Sequence, residues 1–147
     1  MNLILERTDQ VKFFTNMKEI FSALNISCYD YDWFVSDIEA NGLVISEGWY
    51  PGLELEKIIT SNDVQFIWAV FSAFPIGTRF VIAEPPYVDG NPNYWNASEP
   101  KPQLEKAIFE IACWDSSATI LIGVNQAMAE NFKSMYTGTK ELKDAVR

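Results

Sequence analysis

Residues 64–74 read VQFIWAVFSAF, a run without a single charged side chain. Its apolar residues fall on both alternating faces, the pattern of a strand in the middle of a sheet with layers above and below. Periodicity alone does not separate such a run from a buried helix, and a helix here would overturn the strand order that follows. Pro75 and Gly77 then turn the chain into Arg79-Phe80-Val81-Ile82-Ala83, which is expected as a second strand.

Working outward, residues 84–102 hold five prolines and three asparagines and form a long irregular loop. Residues 104–115 and 119–124 are expected to pair as a hairpin turned at Ser116-Ser117. Within it, 108–114 and 119–124 join 64–74 near the centre of the sheet. Asn125 caps a final helix through Tyr136, with Met128, Phe132 and Met135 inward. The tail TGTKELKDAVR, residues 137–147, is expected as a short helix. Upstream, residues 53–59 fit a short helix with Leu55, Ile58 and Ile59 inward. The stretch CYDYDWFVSDIEANG, residues 28–42, reads as a strand over 27–39. Alternation puts Tyr29, Tyr31, Trp33 and Val35 on one face and Cys28, Asp30, Asp32 and Phe34 on the other. Asn41-Gly42 signals a hairpin, with 43–46 returning. Val11, Phe14, Met17, Phe21 and Leu24 recur at helical spacing after Thr8, which suits an N-cap, so a helix of about four turns is expected up to Asn25. Leu3-Ile4-Leu5 suits an edge strand. Hairpins dominate this order. The chain is therefore expected to be a single α+β domain over 1–147: a mostly antiparallel sheet packed by an N-terminal, a short middle and a C-terminal helix.

The 147 residues contain no histidine, which excludes histidine-based triads, histidine acid–base pairs and the common zinc and iron sites. No apolar run is long enough to span a bilayer, and the first residues, MNLILERTDQ, lack a basic region followed by an apolar one and a cleavage site. A cytoplasmic protein with Cys28 and Cys113 reduced and buried is expected. The net charge of −9 is uneven: residues 19–56 carry eight carboxylates and no Lys or Arg. Such a field repels nucleic acid and anionic membranes and attracts basic partners.

Several chemistries can be weighed on these residues. Asp30-Tyr31-Asp32 lacks the hydroxyl residue that an aspartate-nucleophile phosphatase needs two positions on, since position 34 is Phe. On a strand, Asp30 and Asp32 would lie about 7 Å apart on one face, a spacing open to an inverting glycosidase. Trp33, Trp49 and Trp95 would then offer a sugar platform, so a carboxylate-based glycoside hydrolase or a carbohydrate-binding domain stands as the alternative function. Asp89-Gly-Asn-Pro-Asn93 reads as turn chemistry rather than a calcium loop. Cys113 has no base nearby to activate it. No metal or cofactor is expected. What remains is an acidic, aromatic protein-binding surface without catalysis. Its expected members are Asp30, Asp32, Trp33, Asp37, Glu39, Glu47, Trp49, Tyr50, Trp95, Trp114 and Asp115.

In size, charge and character the whole chain resembles the small acidic immunity proteins of bacterial toxin systems, including contact-dependent inhibition. The resemblance implies a cytoplasmic protein that neutralises a cognate toxin, often a basic nuclease. It also implies a partner that is protein, and the acidic field predicts that neither nucleic acid nor membrane is bound.

Overall fold

A computed structural model describes residues 1–145. In chain order its elements are β1 (Leu3–Glu6), α1 (Met17–Leu24), a 3-10 turn (Cys28–Asp30), β2 (Asp32–Ala40), β3 (Gly48–Pro51), α2 (Gly52–Ser61), β4 (Phe66–Phe74), β5 (Phe109–Trp114), β6 (Ala118–Ile122), α3 (Gln126–Met135) and β7 (Lys140–Glu141), with further 3-10 turns at Pro92–Tyr94 and Leu142–Asp144. Among the described residues the strands make one seven-stranded sheet in the order β3-β2-β4-β5-β6-β1-β7. Every pairing is antiparallel. The α+β class is as expected, and β4, β5 and β6 occupy the middle.

The 64–74 run is a strand, and its burial explains its composition. Ala69, Phe71 and Ala73 face a core with α1, α2 and α3, whereas Val70 and Phe74 face the opposite side. The first core packs Met17, Phe21, Leu55, Ile59, Met128 and Phe132 from the helices onto Trp33, Val35, Phe71, Phe109 and Leu121 from the sheet. Among the described residues no α-helix covers the other face, where Leu142 of the C-terminal 3-10 turn and Ala145 just after it pack beside Ile4. There a strap of irregular chain, residues 75–108, lays Phe80, Ile82 and Leu104 on Phe34 and Phe74, and Val88 and Tyr94 on Val70, Ala112, Ile120 and Ile122.

Six local expectations change. α1 starts at Met17 rather than near Val11: Asn16 is the N-cap, accepting from Glu19 N at 3.3 Å. Thr15 has φ 66° and its hydroxyl donates to Phe66 O at 2.5 Å, so attachment to β4 overrides the helical spacing upstream. The strand returning from β2 is Gly48–Pro51, not 43–46, and it pairs with the first half of β2, Asp32 to Val35. Residues 79–83 keep a strand's alternation, with Phe80 and Ile82 on the sheet and Val81 94% exposed, but they lie over its face and pair with no neighbouring strand among the described residues. β1 lies between β6 and β7 instead of at an edge. Met135 is exposed; Tyr136 takes the inward position against Phe132, ring centroids 5.3 Å apart. In the tail, a short strand and a 3-10 turn replace the expected helix up to 145, and 146–147 lie outside the described residues.

The start of α2 sits directly on the 3-10 turn at Cys28–Asp30. A Cβ on Gly52 would lie 2.3 Å from Cys28 O and 2.4 Å from the Tyr29 Cα, both backbone atoms that cannot step aside. Gly52→Ala should therefore cost about 3 kcal/mol of stability through overpacking. Urea titration of the variant checks this, and an unchanged midpoint would mean that the two segments separate freely.

Candidate functional site

An irregular strap across a sheet makes no ladder, so its backbone N–H groups need other acceptors. Carboxylates on the sheet supply several of them. Asp32 Oδ2 accepts from Gly77 N at 2.8 Å and pairs with Arg79 Nη1 at 2.9 Å. Asp37 sits at a register shift in β2 with φ 52°, and its Oδ2 accepts from Val88 N at 2.8 Å and Asp89 N at 3.0 Å. Glu110 on β5 is fully buried; its Oε2 accepts from Gln103 N at 2.8 Å and its Oε1 from the Tyr94 hydroxyl at 2.5 Å. Burial raises the Glu110 carboxyl above the ordinary glutamate value, against the hydrogen bonds from Gln103 and Tyr94. Burial and then the Glu110 charge raise the Tyr94 phenol well above its ordinary value. Asp32 and Asp37 were expected in a partner surface; the structure uses both to hold the strap.

The aromatic members of the expected surface also separate. Trp33 is fully buried, edge-on to Phe109 at 5.7 Å, and donates from Nε1 to Cys28 O at 2.8 Å, so it belongs to the core. Trp49 is half-buried among Phe34, Phe74 and Phe80, with the Arg79 guanidinium 5.1 Å from its ring. Trp95 and Trp114 meet edge to face with centroids 4.9 Å apart at the far end of the sheet, and Trp114 also meets Trp68 at 5.9 Å. Glu39, the Cα partner of Trp68, and Asp115, in the β5–β6 turn, belong to that same end. No platform of Trp33, Trp49 and Trp95 exists. Nor do Asp30 and Asp32 share a strand face: Asp30 is in the 3-10 turn, while Asp32 is buried in its ion pair.

What does come together is a corner built by the 3-10 turn, β3 and the first turns of α2. Gly52 permits the contact. The corner carries Asp30, Glu54 and Glu56 beside Tyr29, Tyr31, Tyr50 and Leu53, while Glu47 precedes β3 at its other end, opposite the Val35 side of β2. Tyr29 is 51% and Leu53 57% exposed. Burial first, and then the charge of Asp30, raises the Tyr31 phenol. Tyr50 is raised by burial and by Glu54, with its hydrogen bond to Ser46 O acting in the opposite sense. Cys28 beneath is pushed up to about 12 by burial and the charge of Glu56, which leaves it an inert thiol. Among the described residues, none of these four carboxylates has a cation within ion-pair distance. Of the expected site residues, Asp30 and Tyr50 lie here, with Glu47 at the other end of β3. Tyr29, Leu53, Glu54 and Glu56 were missing from that set, although the acidic run through 56 pointed to the last two.

Among the described residues, no group of three or more acids and cysteines is placed to hold a metal ion, and no helix is long and apolar enough to cross a membrane. No family model matches the chain, and no curated protein or solved structure matches it.

The anchors make two measurable predictions. Asp37→Ala should cost about 2 kcal/mol by stranding two amide donors, and hydrogen exchange at Val88 and Asp89 should accelerate. Exchange unaltered at both amides would show that the strap is held elsewhere. For Glu110, a native pKa above the unfolded one means that its protonated form favours folding. That contribution is complete below the unfolded value near 4.5 and is lost as pH rises through the higher native value. Wild type should therefore lose stability relative to Glu110→Gln across this window, and a pH-independent difference would contradict the assignment.

Proposed function

We propose that the chain is a binding protein without catalysis, of the immunity type, which neutralises a basic cognate toxin in the cytoplasm through its acidic, aromatic corner. The observation that carries this reading is the contrast between two sets of carboxylates. Asp32, Asp37 and Glu110 are engaged by the strap, whereas Asp30, Glu47 and Glu54 are exposed, Glu56 is half-buried, and all four lack an ion-pair partner among the described residues. Unpaired acids around exposed Tyr29 and Leu53 suit an interface in which aromatics supply contact area and charge steers encounter. The overall charge of −9 extends that attraction beyond contact. Two buried free cysteines agree with a reducing compartment.

The direct test is to look for a toxin encoded beside this protein's gene, to recover it in a pull-down and to measure its association. Association should slow as ionic strength rises, because screening at physiological salt acts over ~8 Å. The triple reversal Asp30→Lys, Glu47→Lys and Glu54→Lys should lower the association rate at least about tenfold while circular dichroism stays unchanged. Rates unaffected by both salt and reversal would reject the corner as interface. Carbohydrate binding is a second reading, favoured by the Trp68–Trp114–Trp95 contacts. It predicts a tryptophan fluorescence change in a glycan panel that the corner variants leave intact.

A further inference from the structure

A groove opens between α1, the 3-10 turn and α2, on the α2 side of the acidic corner. Its cavity of about 180 Å³ has room for one long side chain. Phe21, Ile26 and Ile59 give it an apolar lining, and Tyr29 and Glu56 stand beside them. Glu56 is half-buried and has no cation within ion-pair distance among the described residues. Lys18, the one base of the lining, belongs to α1.

We propose that this groove is a socket for a single basic side chain, an arginine in preference to a lysine, projected by the protein partner. The inference rests on the corner being the docking surface, and it names the chemistry that the surface reads. An apolar side chain seated here would cover Glu56 without compensating its charge, and an anion would be repelled by it. A basic side chain satisfies both parts of the groove. Its methylenes lie on Phe21, Ile26 and Ile59, and its head reaches the carboxylate. A guanidinium adds what an ammonium lacks, a planar fork for the carboxylate and a flat face for the Tyr29 ring. A partner's side chain is favoured over a free cation because Asp30 and Glu54 stand around the same corner and reward neighbouring bases on one surface. Lys18 acts against the incoming charge.

The probe is N-acetyl-arginine methylamide, titrated into the full chain and followed by backbone amide shifts. Uncharged N-acetyl-citrulline methylamide and spermidine serve as parallel arms. Saturable shifts are expected at Cys28, Tyr29 and Glu56. Affinity should fall about tenfold in Glu56→Gln, fall in Tyr29→Ala and rise in Lys18→Ala. Equal shifts with citrulline, or no loss in Glu56→Gln with its spectrum still that of the folded protein, overturn the socket. Spermidine binding more tightly at the same amides overturns the partner assignment in favour of a free polyamine. The toxin complex separates the two readings. Sensitivity to the Asp30, Glu47 and Glu54 reversal without sensitivity to Glu56→Gln removes the socket and keeps the corner. Insensitivity to both removes the corner as well.

Discussion

Everything in this fold answers to one constraint: the central sheet is apolar on both faces, yet helices cover only one of them. The second face has to be shielded by chain without regular structure. Such chain brings N–H and C=O groups to an apolar surface, where each must find a partner or cost free energy on the scale of a lost hydrogen bond. The strap meets this demand with side chains rooted in the sheet. Asp32, Asp37 and Glu110 take its N–H groups, and the Ser36 hydroxyl donates to Pro86 O at 2.7 Å. Its prolines carry no N–H and so reduce the number of donors to be satisfied. A composition that resembles a disordered linker is, on this sheet, the composition of a packed layer.

The same constraint sorts the acidic residues. A carboxylate facing the strap is engaged by backbone amides and no longer acts on the surroundings. One at the corner, beyond the strap's reach, keeps its field. Acidity that reads as one continuous run in the chain thus divides into a structural set and an outward set. The outward set is gathered where Gly52 lets α2 press against the 28–30 turn. A single missing side chain determines that Tyr29, Glu54 and Glu56 belong to one surface.

The central strands were legible in the sequence because burial on both sides leaves a direct imprint: 64–74, 108–114 and 119–124 are apolar throughout or nearly so. The Asn125 cap was legible for a comparable local reason, a side chain serving the amide of Met128 three residues on, at 2.9 Å. The errors share a cause. In 11–16 and 79–83 a good local pattern was overruled by a tertiary attachment, of Thr15 to Phe66 in the first case and of Phe80 to Trp49 and Phe74 in the second. The site was less legible than the fold. Nothing in residue type separates Asp32 from Asp30, because the difference lies in whether Gly77 and Arg79 arrive from far along the chain. Glu110 could have been found. It is the lone charge in FEIACW, and a carboxylate inside an apolar strand must have partners.

The place of β1 bears on how the molecule comes to be made. Its two neighbours, β6 and β7, begin at Ala118 and Lys140, so Leu3–Glu6 has no strand to join until the chain has grown to those residues. At ordinary elongation rates that interval is on the order of ten seconds. Throughout it, Leu3, Ile4 and Leu5, all buried in the finished protein, are open to whatever hydrophobic surface is nearby. The sheet cannot be closed progressively from the ribosome outward. The β1 seams join segments more than a hundred residues apart, so the nascent chain exposes an apolar strand that the folded protein hides.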